Sequence, residues 1–258
     1  MALQRFDEFN NLSTRWFEKM TISEAGKKKR VQLSLDYCEI ILMLFYMITE
    51  EEYEADECIA FLEERLVILA ENALGRENMA YINDWAKTKA EEIVNQTLTK
   101  YENEIEDSAE PKPEKQEALK EKNKEEKQED QEPEPETDEE PDEEKKISIP
   151  DFNVEIPEQE YWTSDERGLL IGIELSMTVY NFGDLCDAID AGMNHKIWVA
   201  CEDDNVRMSH QVVNGADIPI NDLFNVGHSY LLMPGDTKNG AEVKEIAGCR
   251  CHLYCYKR

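Results

Sequence analysis

Apolar residues recur at spacings of three and four along the first hundred positions, the period of one helix face. Between Lys28 and Ile48 the stripe is Val31, Leu35, Cys38, Leu42, Phe45 and Ile48. A second helix is read from Glu51 to Leu74 with Tyr53, Cys58, Phe61, Leu62, Leu66 and Leu69 on its apolar face. Its first turns are acidic, where the helix dipole favours negative charge. A third helix runs from Glu77 to Ile105 through Tyr81, Trp85, Ile93, Leu98 and Tyr101, with Gly75 as the break before it. The pattern predicts a helical hairpin or three-helix unit, and its long polar faces also suit a partner-binding helix. The first twenty residues are amphipathic and charged and lack an apolar stretch before a small-residue cleavage site, so no signal peptide is read. The most apolar run, Ile40–Ile48, is nine residues between Glu39 and Thr49-Glu50. That is short of the roughly 18–20 residues that span a bilayer, so it reads as a buried helix segment of a soluble protein.

The pattern stops at residue 106. Residues 106–146 contain only Ala109, Ala118 and Leu119 as apolar residues, together with five prolines and no aromatic. Nothing there offsets the entropy of ordering the chain, so the segment reads as a disordered spacer stiffened by proline and like charge. Patterning returns beyond it. A helix from Ser164 to Ala191 opens on the capping signature Thr163-Ser164-Asp165-Glu166, buries Leu169, Ile173, Val179, Phe182, Leu185 and Ile189, and ends at Ala191-Gly192. Short strands are predicted at Lys196–Ala200, Gln211–Val213, Leu231–Met233 and His252–Tyr256, between turns at Asp203-Asp204-Asn205, Asn214-Gly215 and Pro234-Gly235-Asp236. Glycines 168, 172, 183, 192, 215, 227, 235, 240 and 248 fall in this part, against Gly26 and Gly75 before it, and read as the turns of a globular domain. The fold class is α+β: a helical module 1–105, a disordered acidic Pro/Glu/Lys-rich linker 106–147, and a small α+β domain 148–258.

Charge sharpens this division. The 258 residues carry a net charge of −30, and residues 106–146 hold −11 of it. Without that segment the remainder is still acidic, which disfavours binding to nucleic-acid phosphates, and no sequence-specific nucleic-acid contact is expected. Seven cysteines at irregular spacing do not make a secreted disulfide framework and read as reduced thiols of an intracellular protein.

Several pieces of the last domain stand in a fixed order. Lys196-Ile197-Trp198 precedes Glu202-Asp203-Asp204-Asn205-Val206-Arg207-Met208-Ser209-His210. Asn214-Gly215, Ile218-Pro219, Phe224-Asn225-Val226-Gly227, Pro234-Gly235-Asp236 and Cys249-Arg250-Cys251 follow. Upstream, Ser164-Asp165-Glu166-Arg167 leads to Glu174 and Asn181. This series resembles the C-terminal domain of phage minor head proteins, the Mu F-like head morphogenesis family. The positions that carry the resemblance are Glu174, Asn181, Trp198, Asp204, Arg207, His210, Pro234, Asp236, Cys249, Arg250 and Cys251. One departure is Gly248, where the family pattern has Asn before C-R-C. The helical segment Ala80–Glu104 is similar to the region such proteins carry ahead of this domain. The resemblance implies a non-enzymatic minor capsid component without a cofactor, present in the virion and, during assembly, in the host cytoplasm. Its implied partners are the portal and other phage head proteins, with no membrane.

Two local chemistries remain open at this level. Arg207, His210, Asp203 and Asp204 suit a catalytic cluster, which supports the alternative of a virion-delivered hydrolase or toxin-like effector. The same residues also suit a structural clamp in which Arg207 pairs with Asp204 and His210 donates to a carbonyl. Cys249, Cys251, His252 and Cys255, with His210 from elsewhere in the domain, offer soft ligands for Zn²⁺. The C-x-C and C-x-x-x-C spacings are not those of a zinc ribbon, and on a strand Cys249, Cys251 and Cys255 share one face as plain core residues. A third reading is an acidic adaptor with two modules on a tether.

Overall fold

The computed structural model describes residues 2–50, 53–109, 146–149, 154–157, 161–201 and 203–258. Four helices come first: α1 (Ala2–Glu18), α2 (Glu24–Thr49), α3 (Ala55–Leu74) and α4 (Ala80–Ala109). A hairpin of β1 (Lys146–Ile149) and β2 (Val154–Pro157) precedes the long helix α5 (Asp165–Asp190). Then follow β3 (His195–Val199), α6 (Met208–Val213), β4 (Asp217–Pro219), β5 (Phe224–Val226), β6 (Ser229–Leu231), α7 (Val243–Ile246) and β7 (His252–Tyr256). The α+β class read from the pattern is the observed one: a helical part followed by small antiparallel sheets with helices.

Local chemistry explains the helix ends. The Ser23 hydroxyl accepts the Gly26 N–H at 3.1 Å to start α2, and the Ser164 hydroxyl accepts the Arg167 N–H at 3.2 Å to start α5. At the start of α3, Glu57 reaches back to the Glu54 N–H at 3.0 Å, half of a reciprocal cap. Gly75 closes α3 with φ 63°, a left-handed conformation that glycine adopts without steric cost.

Helix α5 organises the molecule. Leu175 and Val179 join the core of α2, α3 and α4, formed around Tyr37, Ile41, Leu62 and Leu66. Leu169, Ile173 and Met177 pack with Trp16, Phe17 and Leu35 from α1 and α2. Leu185 and Ala188 cap the C-terminal core of Trp198, Phe224, Val226, Leu231 and Met233. Helix α5 contributes to three cores at once, while its last turns keep one open face, with Asp184, Asp187 and Asp190 exposed and Ile189, expected to be buried, 46% exposed. Its closest neighbour is α2. A Cβ on Gly172 would lie 2.3 Å from the Ser34 carbonyl oxygen, and one on Gly168 would lie 2.9 Å from Leu42 Cδ2. The Ser176 hydroxyl donates to the Arg30 carbonyl at 2.9 Å across the same seam. Gly168, Gly172 and Gly183 therefore mark close helix contacts inside α5, not turns; the other six glycines of this part have positive φ and do sit in turns.

The expected separation of a helical module from a distant α+β domain is thus corrected. Residues 1–105 and 148–258 share cores, because the apolar faces of α1, α2 and α4 find α5 as well as one another. The linker boundaries also move. Helix α4 continues to Ala109, since extending a formed helix needs no new nucleus, and β1 begins at Lys146. The disordered-linker reading falls on 110–145, outside the described residues.

Helix α2 is long and apolar enough to cross a membrane by length and composition, with a window of mean hydropathy 1.6. In the fold it lies against α1, α3 and α5 with Leu33, Tyr37, Ile41, Leu44 and Ile48 buried.

The main sheet has the order β4-β3-β7, antiparallel throughout, with Trp198 opposite Leu253 and Lys196 opposite Cys255. Strands at His195–Val199 and His252–Tyr256 match the predicted segments closely. Gln211–Val213 is the end of helix α6 instead of a strand, because a three-residue stretch is too short to show a period that distinguishes the two. Likewise the predicted Leu231–Met233 strand is Ser229–Leu231, and Met233–Asp236 forms the turn that follows.

Candidate functional site

The site is built where α6, the segment Ala247–Cys251 and the floor of β3 meet. Arg207 stands at the N-terminus of α6 and donates to the Ala247 carbonyl, which fixes α6 against the end of α7. One turn later His210 is only 1% exposed. Its ring stands edge-on to Trp198 at 5.5 Å between centroids, and Trp198 stands edge-on to Phe224 at 5.3 Å. Gly248 has φ 63°, a left-handed backbone. Glycine adopts that conformation without steric cost, and it sets the turn that leads into Cys249.

The two ring nitrogens of His210 face different groups. Nδ1 lies 3.3 Å from Cys251 Sγ and 3.6 Å from Cys249 Sγ. Nε2 lies 3.3 Å from Glu245 Oε2, within ion-pair distance though not aligned as a hydrogen bond. Glu245 is itself buried and accepts the Ser209 hydroxyl at 2.6 Å. Gly227 leaves room for it, since a Cβ there would lie 2.5 Å from Glu245 Oε1. Cys249 is the more acidic thiol of the pair. Hydrogen bonding from the Cys251 thiol, with the Cys251 N–H at 3.4 Å, holds it below the ordinary thiol range, while donating to Cys249 pushes Cys251 up. His210, Cys249 and Cys251 present ligand atoms within 4.8 Å of one another, all buried. Cys201, Arg207 and these three residues line one small cavity of about 10 Å³.

A salt bridge braces this centre. Arg250 Nη1 lies 2.8 Å from Asp203 Oδ2 and Nη2 donates to Asp203 Oδ1 at 3.0 Å, with both side chains buried. The guanidinium also lies 5.0 Å over the Trp16 ring, which ties α1 to the site. Asp204 is exposed. The expected clamp of Arg207 on Asp204 is therefore replaced: Asp203 holds Arg250, and Arg207 holds the α7 end. Asp203-Asp204 is a doublet, and sequence spacing alone did not distinguish the inward carboxylate from the outward one.

Asn181, on α5, donates to the carbonyls of Pro234 and Cys251, each at 3.1 Å. Asp236 accepts the Leu232 N–H at 2.8 Å, the Lys238 N–H at 3.0 Å and the Tyr81 hydroxyl at 3.0 Å. Burial and the neighbouring Asp236 raise the Tyr81 phenol well above its ordinary range. Glu174 accepts from Lys89 of α4 at 2.8 Å. Lys196 is fully buried, donates to the Leu232 carbonyl at 2.8 Å, and is pushed down to about 8 by burial.

Two of the candidate ligands do not join the centre. His252 turns to the other side, 3.5 Å from the Thr21 hydroxyl, and burial pushes it down to about 4. Cys255 lies beside Lys196 on β7, which the register places three residues past His252. Cys249 and Cys251 precede the strand, in the turn set by Gly248, so the strand geometry expected for them fails, yet with Cys255 they do pack in one core, around Trp198 and Leu253. Cys201 and Glu245 were missed. Cys201 sits at the exit of a predicted strand, a detectable position, whereas Glu245 carries no signal outside the folded arrangement.

A cleft of about 430 Å³ opens beside this centre, lined by Trp162, Arg167, Glu174, Arg207 and Arg250 among others. Its cations are engaged: Arg167 donates to the Trp162 carbonyl at 2.7 Å and Thr97 at 2.9 Å, and burial lowers it to about 10. Comparison with known proteins returned no matching family model, no matching curated protein and no matching solved structure.

Proposed function

We propose that the chain is a bacteriophage minor head protein, a structural virion component that acts in head morphogenesis at the portal or procapsid. The observation that supports this reading is convergence. Residues matched to the Mu F-like series lie from Glu174 to Cys251, yet Asn181, Pro234, Trp198, His210, Cys249 and Cys251 belong to one connected arrangement. They act as its joints, tying α5 to the turns and α6 to the start of β7. That is the use a structural component makes of polar and sulfur side chains.

The same geometry gives less support to a hydrolase centred on Arg207 and His210. His210 is enclosed by Trp198, two thiols and Glu245, and Arg207 is engaged with a backbone carbonyl. A general base must reach the proton it removes. The two-module adaptor is disfavoured by the cores that α5 shares with both ends of the chain. The −11 segment at 106–146 would be repelled by packaged DNA and so suits a position away from the genome's path.

Co-expression with the portal and major capsid proteins of the same genome tests this role. The chain should co-sediment with portal-containing procapsids and be absent from shells assembled without portal. Free chain at the top of the gradient in both cases would contradict it.

A further inference from the structure

We propose that His210, Cys249 and Cys251 bind a zinc ion, with Cys201 as the fourth ligand, in a closed structural site. The site is independent of the assembly role. The three ligand atoms come from two elements separated by about forty positions, and all are buried within 4.8 Å of one another. Tetrahedral zinc with Zn–S near 2.3 Å and Zn–N near 2.0 Å places nitrogen and sulfur ligands about 3.5 Å apart. The distances from His210 Nδ1 to the two sulfurs, 3.3 and 3.6 Å, bracket that value.

The surroundings fit as well. A metal-bound histidine turns its other nitrogen to a carboxylate or carbonyl that fixes the ring and raises its basicity. Glu245 occupies that place at His210 Nε2, and the Ser209 hydroxyl orients it. Cys201 lines the same cavity, its sulfur outside the 4.8 Å group, so a small inward shift of that side chain would complete a Cys₃His set. Binding releases the thiol protons to solvent, so Zn²⁺ with three thiolates and a neutral imidazole carries one negative charge. The Arg207 guanidinium lines that cavity and offsets it. With four protein ligands the ion has no open position, so its role is to pin α6 to the Cys249–Cys251 turn.

The test uses the full chain purified without chelators. Elemental analysis should give about one zinc per chain, and Co²⁺ replacing it should show thiolate charge-transfer absorption with intense tetrahedral d–d bands. Cys249→Ser and Cys251→Ser should each lose the metal, Cys201→Ser should weaken retention against a competing chelator, and Cys255→Ser should keep it. Glu245→Gln should retain the ion with affinity lowered about 10–100-fold, the signature of a positioning residue. Less than about a tenth of an equivalent in the wild type, with no cobalt spectrum on reconstitution, would overturn the site. So would full retention in both Cys249→Ser and Cys251→Ser. The wild-type measurements decide the question even where a variant fails to fold.

Discussion

Arg250 and Lys196 are both buried cations, and their partners give them opposite consequences. Arg250 faces the Asp203 carboxylate, so removing one partner strands the other charge in the interior. Arg250→Ala should cost about 3–5 kcal/mol in urea unfolding, and Arg250→Met with Asp203→Leu should recover most of it. A loss under about 0.5 kcal/mol for the single variant would show that the pair is not held as described. Lys196 has only a carbonyl and the Phe224 ring at its ammonium, with Cys255, Asp222 and Asp236 as the nearby titrating groups. Its folded value near 8 lies below its ordinary 10.5. The unfolded chain therefore binds more protons between those values, and stability rises with pH across that window. The penalty is fully present below pH 8. Lys196→Met should be more stable than the wild type at pH 7 by up to about 3 kcal/mol, with the advantage fading as pH approaches 10.5. A difference that stays constant across the window would refute this assignment.

Among the elements, α5 shows best what a sequence discloses and what it withholds. Its start was legible because Ser164 followed by acidic residues is a local cap, and its end because Gly192 follows the last apolar position. Strand β7 was legible through its alternating aromatic residues. The partner of α5 was not, because periodicity reports which face is apolar and not what covers it. Gly168 and Gly172 resemble turn residues until α2 is seen packed against them. Helix α6 was misread because Val212-Val213 looks like strand and the deciding contact, Arg207 to Ala247, joins residues forty positions apart. The Gly172→Ala variant tests the α2–α5 seam. A glycine in an open helix becomes more stable as alanine by about 1 kcal/mol, whereas here the new Cβ meets backbone at 2.3 Å. The variant should instead lose about 1–3 kcal/mol, read as a lower melting temperature, and a gain would mean that the helices are not so close.

For the whole molecule, the shared cores change how the two ends should behave. Residues 148–258 alone would expose Leu169, Ile173 and Val179, which α1–α4 cover in the full chain. The fragment should bind a hydrophobic dye and lack a cooperative thermal transition. Co-expressed with 1–105 it should lose the dye binding and regain a cooperative transition, since the covering faces return without the intervening segment. Cooperative unfolding of 148–258 on its own would restore the picture of independent modules. The acidic segment then joins parts that share cores and does not hold two independent domains apart.

The proposed role, a structural part of a phage head, is tested most directly by mass spectrometry of purified particles. On that proposal, virions produced from the genome that carries the gene should contain its peptides from both 7–101 and 161–258, at a constant ratio to the portal protein across preparations. Particles that are complete and infectious yet contain none of these peptides would contradict the account.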